Sequence, residues 1–269
     1  DTVDMAEALP AYAAQELVEQ RFVRLAESGG SQRLTLSQVG VDLPIQPWTV
    51  RGETTDANAI AALIAYGDHV FRSDQTHGRK SLVLLIGGPG QGKTTLTNLL
   101  AQTYRATLLK RTESGYGQLV DEVLKGTLTM LQDQKIPLPR NRRWPIRLNL
   151  AILAQQGPVS GGILQRIANM IRDRQPGNIQ GSQLKSWFHH YPWLLILDGY
   201  DEVASSEARE QIARELRDLL VLAAQRNNDL MVVITTRPQG YDGDFDEFGI
   251  EEVTLKPLGG EEAIAYGRK

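Results

Sequence analysis

The sequence predicts an α/β fold, a three-layer sandwich with a mostly parallel sheet and a helical flank on its N-terminal side. Three observations carry that expectation. From Ser81 onward, short apolar runs alternate with helix-spaced segments, the pattern of parallel strand-helix units. A glycine-rich loop, Gly87 to Thr94, lies between one such run and one such helix. Two later apolar runs end in hydrophilic residues, Leu194-Leu-Ile-Leu-Asp198 and Met231-Val-Val-Ile-Thr235-Thr236-Arg237. A parallel sheet brings those ends to one crevice.

Taken in order, residues 5–27 have helical spacing, with Val18, Phe22 and Leu25 on one stripe, and Gly29-Gly30-Ser31 breaks them. Residues 34–45 alternate loosely and finish near Pro44 and Pro47, which predicts a strand or extended arm. Residues 56–71 predict a second helix, with Ile60, Leu63, Ile64 and Phe71 on one face and Thr55 or Asp56 as its cap. Strands are expected at 82–86, 146–150, 193–198, 230–236 and, more weakly, 250–256. Helices are expected from about Gly92, where Leu96, Leu99 and Leu100 recur, and at 118–131, 163–173 and 206–226. Three prolines and four basic residues make 132–145 a loop. The expected divisions are 1–50 (helix and arm), 51–80 (flanking helix), 81–258 (the α/β domain) and 259–269 (the start of a further helical part).

A chain of 269 residues can bury a substantial core, and 41% hydrophobic with 23% charged residues is ordinary for a soluble protein. The net charge of −3 gives no global reason to expect nucleic acid or an anionic membrane. The absence of cysteine excludes disulfides and thiolate metal sites and suits a reducing compartment, so a cytoplasmic protein is expected. No apolar run approaches the roughly 18 residues of a membrane span, and the acidic N-terminus is no signal peptide. The chain begins without Met, as an excised piece would.

Gly87, four residues, then Gly92-Lys93-Thr94 is a complete phosphate-binding P-loop. Backbone N–H groups must converge on a phosphate, so side chains are in the way and glycine is favoured. The following helix aims its positive end at the same phosphate. Gly87, Gly88, Pro89, Gly90, Gln91, Gly92, Lys93, Thr94 and Thr95 are therefore the expected nucleotide-binding residues. Lys93 would reach the β- and γ-phosphates, and Thr94 would offer its hydroxyl to Mg²⁺. Asp198, an acid ending an apolar strand, forms the Walker B pattern and would hold the metal, generally through water. Asp201 or Glu202 would orient or deprotonate an attacking water, Asp201 being favoured as nearer the strand end, unless both merely start the helix at 206. Arg237 would sense or steady the γ-phosphate, unless it only makes a salt bridge at a strand end.

Three segments in this order, Gly88-Pro-Gly-Gln-Gly-Lys-Thr-Thr-Leu96, Leu195-Ile-Leu-Asp-Gly-Tyr-Asp-Glu-Val203 and Ile234-Thr-Thr-Arg-Pro238, resemble the NACHT branch of the STAND nucleotide-driven switch proteins. Pro145-Ile-Arg-Leu-Asn-Leu-Ala151 is similar to the strand that family places between its Walker motifs. Leu255 to Ile264, with Tyr266, is similar to the lead into its first helical domain, and residues 21–47 to the stretch before bacterial NACHT modules. The resemblance implies a P-loop nucleoside triphosphatase that binds ATP or ADP with Mg²⁺ and hydrolyses ATP slowly. It implies a resting ADP state, self-association in the ATP state of the full-length protein, and a trigger ligand and effector domain that it leaves unnamed. In bacteria it implies an immune sensor. Family members continue into helical, winged-helix and sensor parts, whereas this chain stops at Lys269; it is either a fragment or a form without them.

Two other classes remain open. A motor ATPase of the AAA+ kind would need an arginine finger from a neighbour. A P-loop phosphotransferase would need an acceptor pocket and a lid, and no lid segment stands out. Three weaker features are read as structural. Asp242-Gly-Asp-Phe-Asp246 lacks the glycine and twelfth-position acid of a calcium loop and is expected to be a solvated acidic loop. His189 and His190 have no third ligand and are expected at a helix end packed on the core. Arg140, Arg142, Arg143 and Arg147 are expected to be a solvated basic cluster, with nucleic acid not indicated.

Overall fold

The computed structural model describes residues 5–23, 34–55, 57–72, 79–110, 115–173 and 181–257. In chain order the elements are α1 (Met5–Glu19), β1 (Phe22–Val23), β2 (Leu34–Thr35), α2 (Leu36–Val39), β3 (Trp48–Val50), β4 (Glu53–Thr55), α3 (Ala59–Gly67), β5 (Leu82–Ile86), α4 (Lys93–Leu109) and α5 (Gln118–Asp133). Then follow β6 (Trp144–Asn149), α6 (Leu150–Gln155), α7 (Gly162–Arg172), α8 (Gly181–His190), β7 (Trp193–Asp198), α9 (Ser206–Gln225), β8 (Leu230–Thr236) and β9 (Ile250–Thr254).

Five strands form one sheet in the order β6-β7-β8-β5-β9, and every pairing is parallel. The three inner strands are apolar up to their carboxyl ends because helices cover both faces. Leu84, Leu195, Leu197, Val232 and Ile234 pack under α6, α7, α8 and α9. Val83, Leu85, Ile196 and Val233 pack under α3, α4 and α5. Pro145, which has no N–H for a ladder, sits in β6 at one edge, and Glu251 and Glu252 lie on β9 at the other. No helix among the described residues is long and apolar enough to cross a membrane.

The N-terminal flank departs from expectation. The first helix stops at Glu19, because side chains take its last carbonyls. Gln102 Nε2 donates to Leu17 O (2.9 Å), Asn98 Nδ2 to Gln20 O (2.8 Å) and Arg21 Nη1 to Val18 O (2.5 Å). Phe22 enters a strand instead, and Leu25 lies outside the described residues. The buried stripe is Leu9, Tyr12, Ala13 and Leu17. The arm at 34–45 contains the one-turn helix α2, and after it come β3 and β4, a hairpin that periodicity did not reveal. Its turn is Arg51-Gly52, both at positive φ (52° and 85°), the hairpin geometry that fits strand twist.

Helix α3 is shorter than 56–71 and begins at Ala59 after Asn58. Thr55 does not cap it; its hydroxyl accepts from Ala57 N (3.2 Å), and Asp56 lies outside the described residues. The first-turn N–H groups of Ile60 (2.6 Å) and Ala61 (3.1 Å) go to the carboxylate of Asp42, 18 residues upstream of Ile60. Burial, opposed by these bonds, pushes Asp42 up to about 6 from 3.8. The native state thus holds the proton more tightly than the unfolded chain. This contribution to stability is complete below about pH 4 and is lost as pH rises through about 6. Relative to Asp42→Asn, the parent should lose up to about 3 kcal/mol between pH 4 and pH 7. Urea melts across that range measure the difference, and a constant gap between the two proteins would refute it.

Strand β6 runs Trp144–Asn149, starting two residues earlier than expected and ending one earlier, the end being set by Asn149, whose Oδ1 caps α6 at Ile152 N (2.9 Å) so that Leu150 opens a helix. The α8 helix was legible only at its end. Leu184 and Phe188 are buried there, while His189 and His190 are exposed.

Candidate functional site

The carboxyl ends of β5, β7 and β8 meet because β8 lies between the other two, with Ile86 in register with Thr236 and Leu197 with Ile234. The loop after β5 starts at Gly87, whose N–H is held by Thr236 O (3.1 Å). It ends at Gly92, the N-cap of α4, at φ 78°, where any side chain would be strained. Pro89 and Gly90 form its exposed tip. The loop is closed on itself. Gly88 N donates to Gln91 Oε1 (2.6 Å), and Lys93 Nζ donates to Gly87 O (2.7 Å) and Gly88 O (3.0 Å). Thr94 is exposed and Thr95 half-buried on the first turn of α4.

Asp198, the last residue of β7, is buried at 1% exposure. Thr235 of β8 donates to its Oδ1 (2.9 Å), and the same hydroxyl accepts from Gly199 N (2.7 Å). Its Oδ2 accepts from Arg147 Nη2 at 2.5 Å. Gly199 turns the chain at φ 82°, and a Cβ there would come within 2.9 Å of Glu202 Oε2. The positive φ favours glycine there, and a side chain would in addition push the Glu202 carboxylate aside.

Asp201 and Glu202 lie in a 3-10 turn, Tyr200–Glu202, and not in α9. The helix start belongs to Ser205, whose hydroxyl accepts from Ala208 N (3.3 Å), so neither acid is needed as a cap. Asp201 instead receives Arg237 twice, from Nε (2.8 Å) and from the backbone N–H (3.2 Å). Arg237 thus makes the strand-end salt bridge that was one reading of it, with its side chain half exposed. Glu202 is exposed. Burial lowers the Lys93 ammonium from its usual range, while Asp201, Asp198 and Glu202 oppose that shift and Arg237 adds to it. Asp198, Asp201, Glu202 and Arg237 therefore all bear on Lys93 at this edge.

A cavity of about 860 Å³ adjoins the edge, between the first turns of α4, the end of β6, α6 and α7; Thr94, Thr95, Arg147 and Asn149 line it. Sequence reading missed it because its walls come from six separate elements, with Phe22 and Val23 of β1 and the end of α1 completing them.

The basic cluster is not solvated as a whole. Arg143 is fully buried and Arg147 largely so. The acidic loop is also more than solvated. Tyr200 donates to Asp244 (2.6 Å), Arg217 to the Asp244 carbonyl (2.8 Å), and Phe245 is buried against Tyr200 and Tyr241. His189 meets Asn228 (2.8 Å). No group of three His, Cys, Asp or Glu suited to a metal occurs among the described residues. A cation at Asp198 would lean on one carboxylate, one hydroxyl and its ligand's phosphates, the habit of Mg²⁺. No family model matches this chain, and no curated protein is similar enough to count as a relative, so the site is read from its own geometry.

Proposed function

We propose that this chain is a P-loop nucleoside triphosphatase module that binds ATP or ADP with Mg²⁺, hydrolyses ATP slowly and uses the nucleotide as a conformational switch. One observation carries the reading: Lys93, Asp198, Asp201 and Arg237, which end or closely follow three parallel strands, lie together beside a helix N-terminus. The glycine turn at Gly92 and the lysine folded over the loop suit a phosphate guest. On this reading Lys93 transfers its two carbonyl bonds to phosphate. Mg²⁺ at Thr94 and Asp198 would supply neutralising charge. Because Asp201 is committed to Arg237, Glu202 is the acid left to orient water, and the Asp201–Arg237 pair would steady the guanidinium for the γ-phosphate. The switch requires nucleotide states that favour different arrangements, since equal affinity shifts nothing. By the resemblance above, ADP holds the closed state, and ATP permits self-association in the full-length protein.

The 860 Å³ cavity beside Thr94 favours a second reading, a phosphotransferase with a small acceptor, because it is the acceptor-sized pocket such an enzyme requires. Phosphate release on the purified protein separates them. The switch requires turnover well below roughly 10 per second, unstimulated by nucleic acid or unfolded protein, with ADP retained. Fast polymer-stimulated turnover points to a motor, and transfer with little release points to the phosphotransferase.

Variants divide the roles. Asp198→Asn should weaken Mg²⁺-dependent binding. Glu202→Gln should spare binding and slow hydrolysis by about 10²- to 10⁴-fold, as loss of a positioned acid or base does. Asp201→Asn should also spare binding but loosen Arg237. If calorimetry finds binding lost alike in all three, the division is wrong.

A further inference from the structure

Arg147 was expected both in the strand at 146–150 and in a solvated basic cluster; it does lie in β6, but it is largely buried. Its register partner is Ile196, two residues before Asp198 on the same face of β7. That placement sends its guanidinium along the sheet edge to Asp198. Nη2 lies 2.5 Å from Oδ2, and Nε donates to Thr97 Oγ1 (3.2 Å). A weaker contact runs from Nη2 to the Thr94 carbonyl at 3.5 Å. With Thr235 on Oδ1, both oxygens of Asp198 have a donor, and its charge is neutralised by a guanidinium that is 14% exposed. A divalent cation drawn to Asp198 would meet a positive charge already seated there. Two cations at such a distance, at a partly buried edge, repel strongly. The guanidinium has somewhere to go, because Arg147 lines the 860 Å³ cavity.

We propose that Arg147 is an internal counter-ion that closes the metal carboxylate, and that Mg²⁺–nucleotide loading requires its guanidinium to leave Asp198 for the cavity. Arg147 is thus a positioning residue that sets the Mg²⁺ concentration at which nucleotide is taken up. The inference rests on the nucleotide reading above.

The test is a Mg²⁺ titration of ADP binding by the chain, followed by calorimetry, so that no turnover is involved. Arg147→Gln should lower the Mg²⁺ concentration for half-maximal ADP binding about tenfold, the effect of removing one nearby charge. Arg147→Lys, which keeps the charge, should stay near the parent. ADP affinity in EDTA should be the same in all three proteins, and this shows that the variants are folded and that the effect belongs to the metal. An unchanged or raised Mg²⁺ requirement in Arg147→Gln overturns the proposal, because Arg147 would then be orienting Asp198 for the metal. A loss of ADP binding in EDTA in that variant also overturns it, by placing Arg147 on phosphate. No ADP binding by the parent at any Mg²⁺ concentration removes the nucleotide reading itself, and this inference with it.

Discussion

Replacing Lys93 with alanine should weaken nucleotide binding by at least roughly 10- to 150-fold and leave the fold intact. The side chain is half-buried, and its ammonium is held by two loop carbonyls and by no core contact, so truncation opens no cavity. Gly87 and Gly88 lose a donor, a modest cost of about 1 kcal/mol. A phosphate loses its charge-assisted partner. One such bond, at about 1.5–3 kcal/mol, corresponds to roughly 10- to 150-fold in affinity. Loss of the folded loop closure adds to that. Titration calorimetry with ATP and Mg²⁺, beside a thermal melt, checks both halves. Equal ATP affinity in variant and parent would remove the phosphate-loop assignment.

The largest effect on stability should come from Arg143, far from that edge. Its guanidinium is fully buried where β6, β7 and β8 begin. It donates to Gly67 O (2.8 Å), His69 O (2.6 Å) and Trp193 O (3.3 Å), and pairs with Asp229 Oδ1 at 2.7 Å. Asp229 also accepts from Phe71 N (3.0 Å) and Asn141 Nδ2 (3.2 Å). One side chain thus joins the end of α3 to three strand starts. Arg143→Met should cost about 3–5 kcal/mol, because it strands a buried carboxylate and several carbonyls. Arg143→Lys should recover little, since a single ammonium cannot span partners arranged around a planar fork. Urea unfolding followed by tryptophan fluorescence is a suitable readout, because Trp193 and Trp144 pack within 4.7 Å of each other beside this hub. A loss below about 1 kcal/mol for Arg143→Met, the value of an exposed pair, would contradict the assignment.

Arg143 and Arg147 mark the limit of linear reading. Arg143 sits in a proline- and arginine-rich stretch whose composition says loop, Arg147 in the expected strand just after it, and composition cannot tell a solvated arginine from one that a sheet edge will bury. The alternation Ile146-Arg147-Leu148-Asn149 was the available signal: it places Arg147 and Asn149 on one face of a strand, pointing along the same side as Asp198 of the next strand. Thr235 was visible as a strand-end hydroxyl, but its grip on Asp198 depends on which strands are neighbours. The β3–β4 hairpin was missed for a different reason. Its turn uses Arg51 at positive φ, a conformation that residue type rarely announces.

By itself the sequence determined the elements whose burial is periodic and local: the five strands, α4, α5, α7 and α9, and the glycine-rich loop between β5 and α4. Apolar spacing and glycine content act over a few residues and need no partner to be read. It also determined which charged residues stand at strand ends, since the end of an apolar run is itself a local feature. Only the tertiary structure decided what those residues touch. It put β8 between β5 and β7, committed Asp201 to Arg237, joined Arg147 to Asp198 and opened the cavity beside Thr94. It also ended α1 early, through side chains of a helix about 80 residues away. The physical reason is the same in each case. A buried polar group must find a partner, and the partner's place in the chain is set by the order of strands and the packing of helices, not by spacing along the sequence.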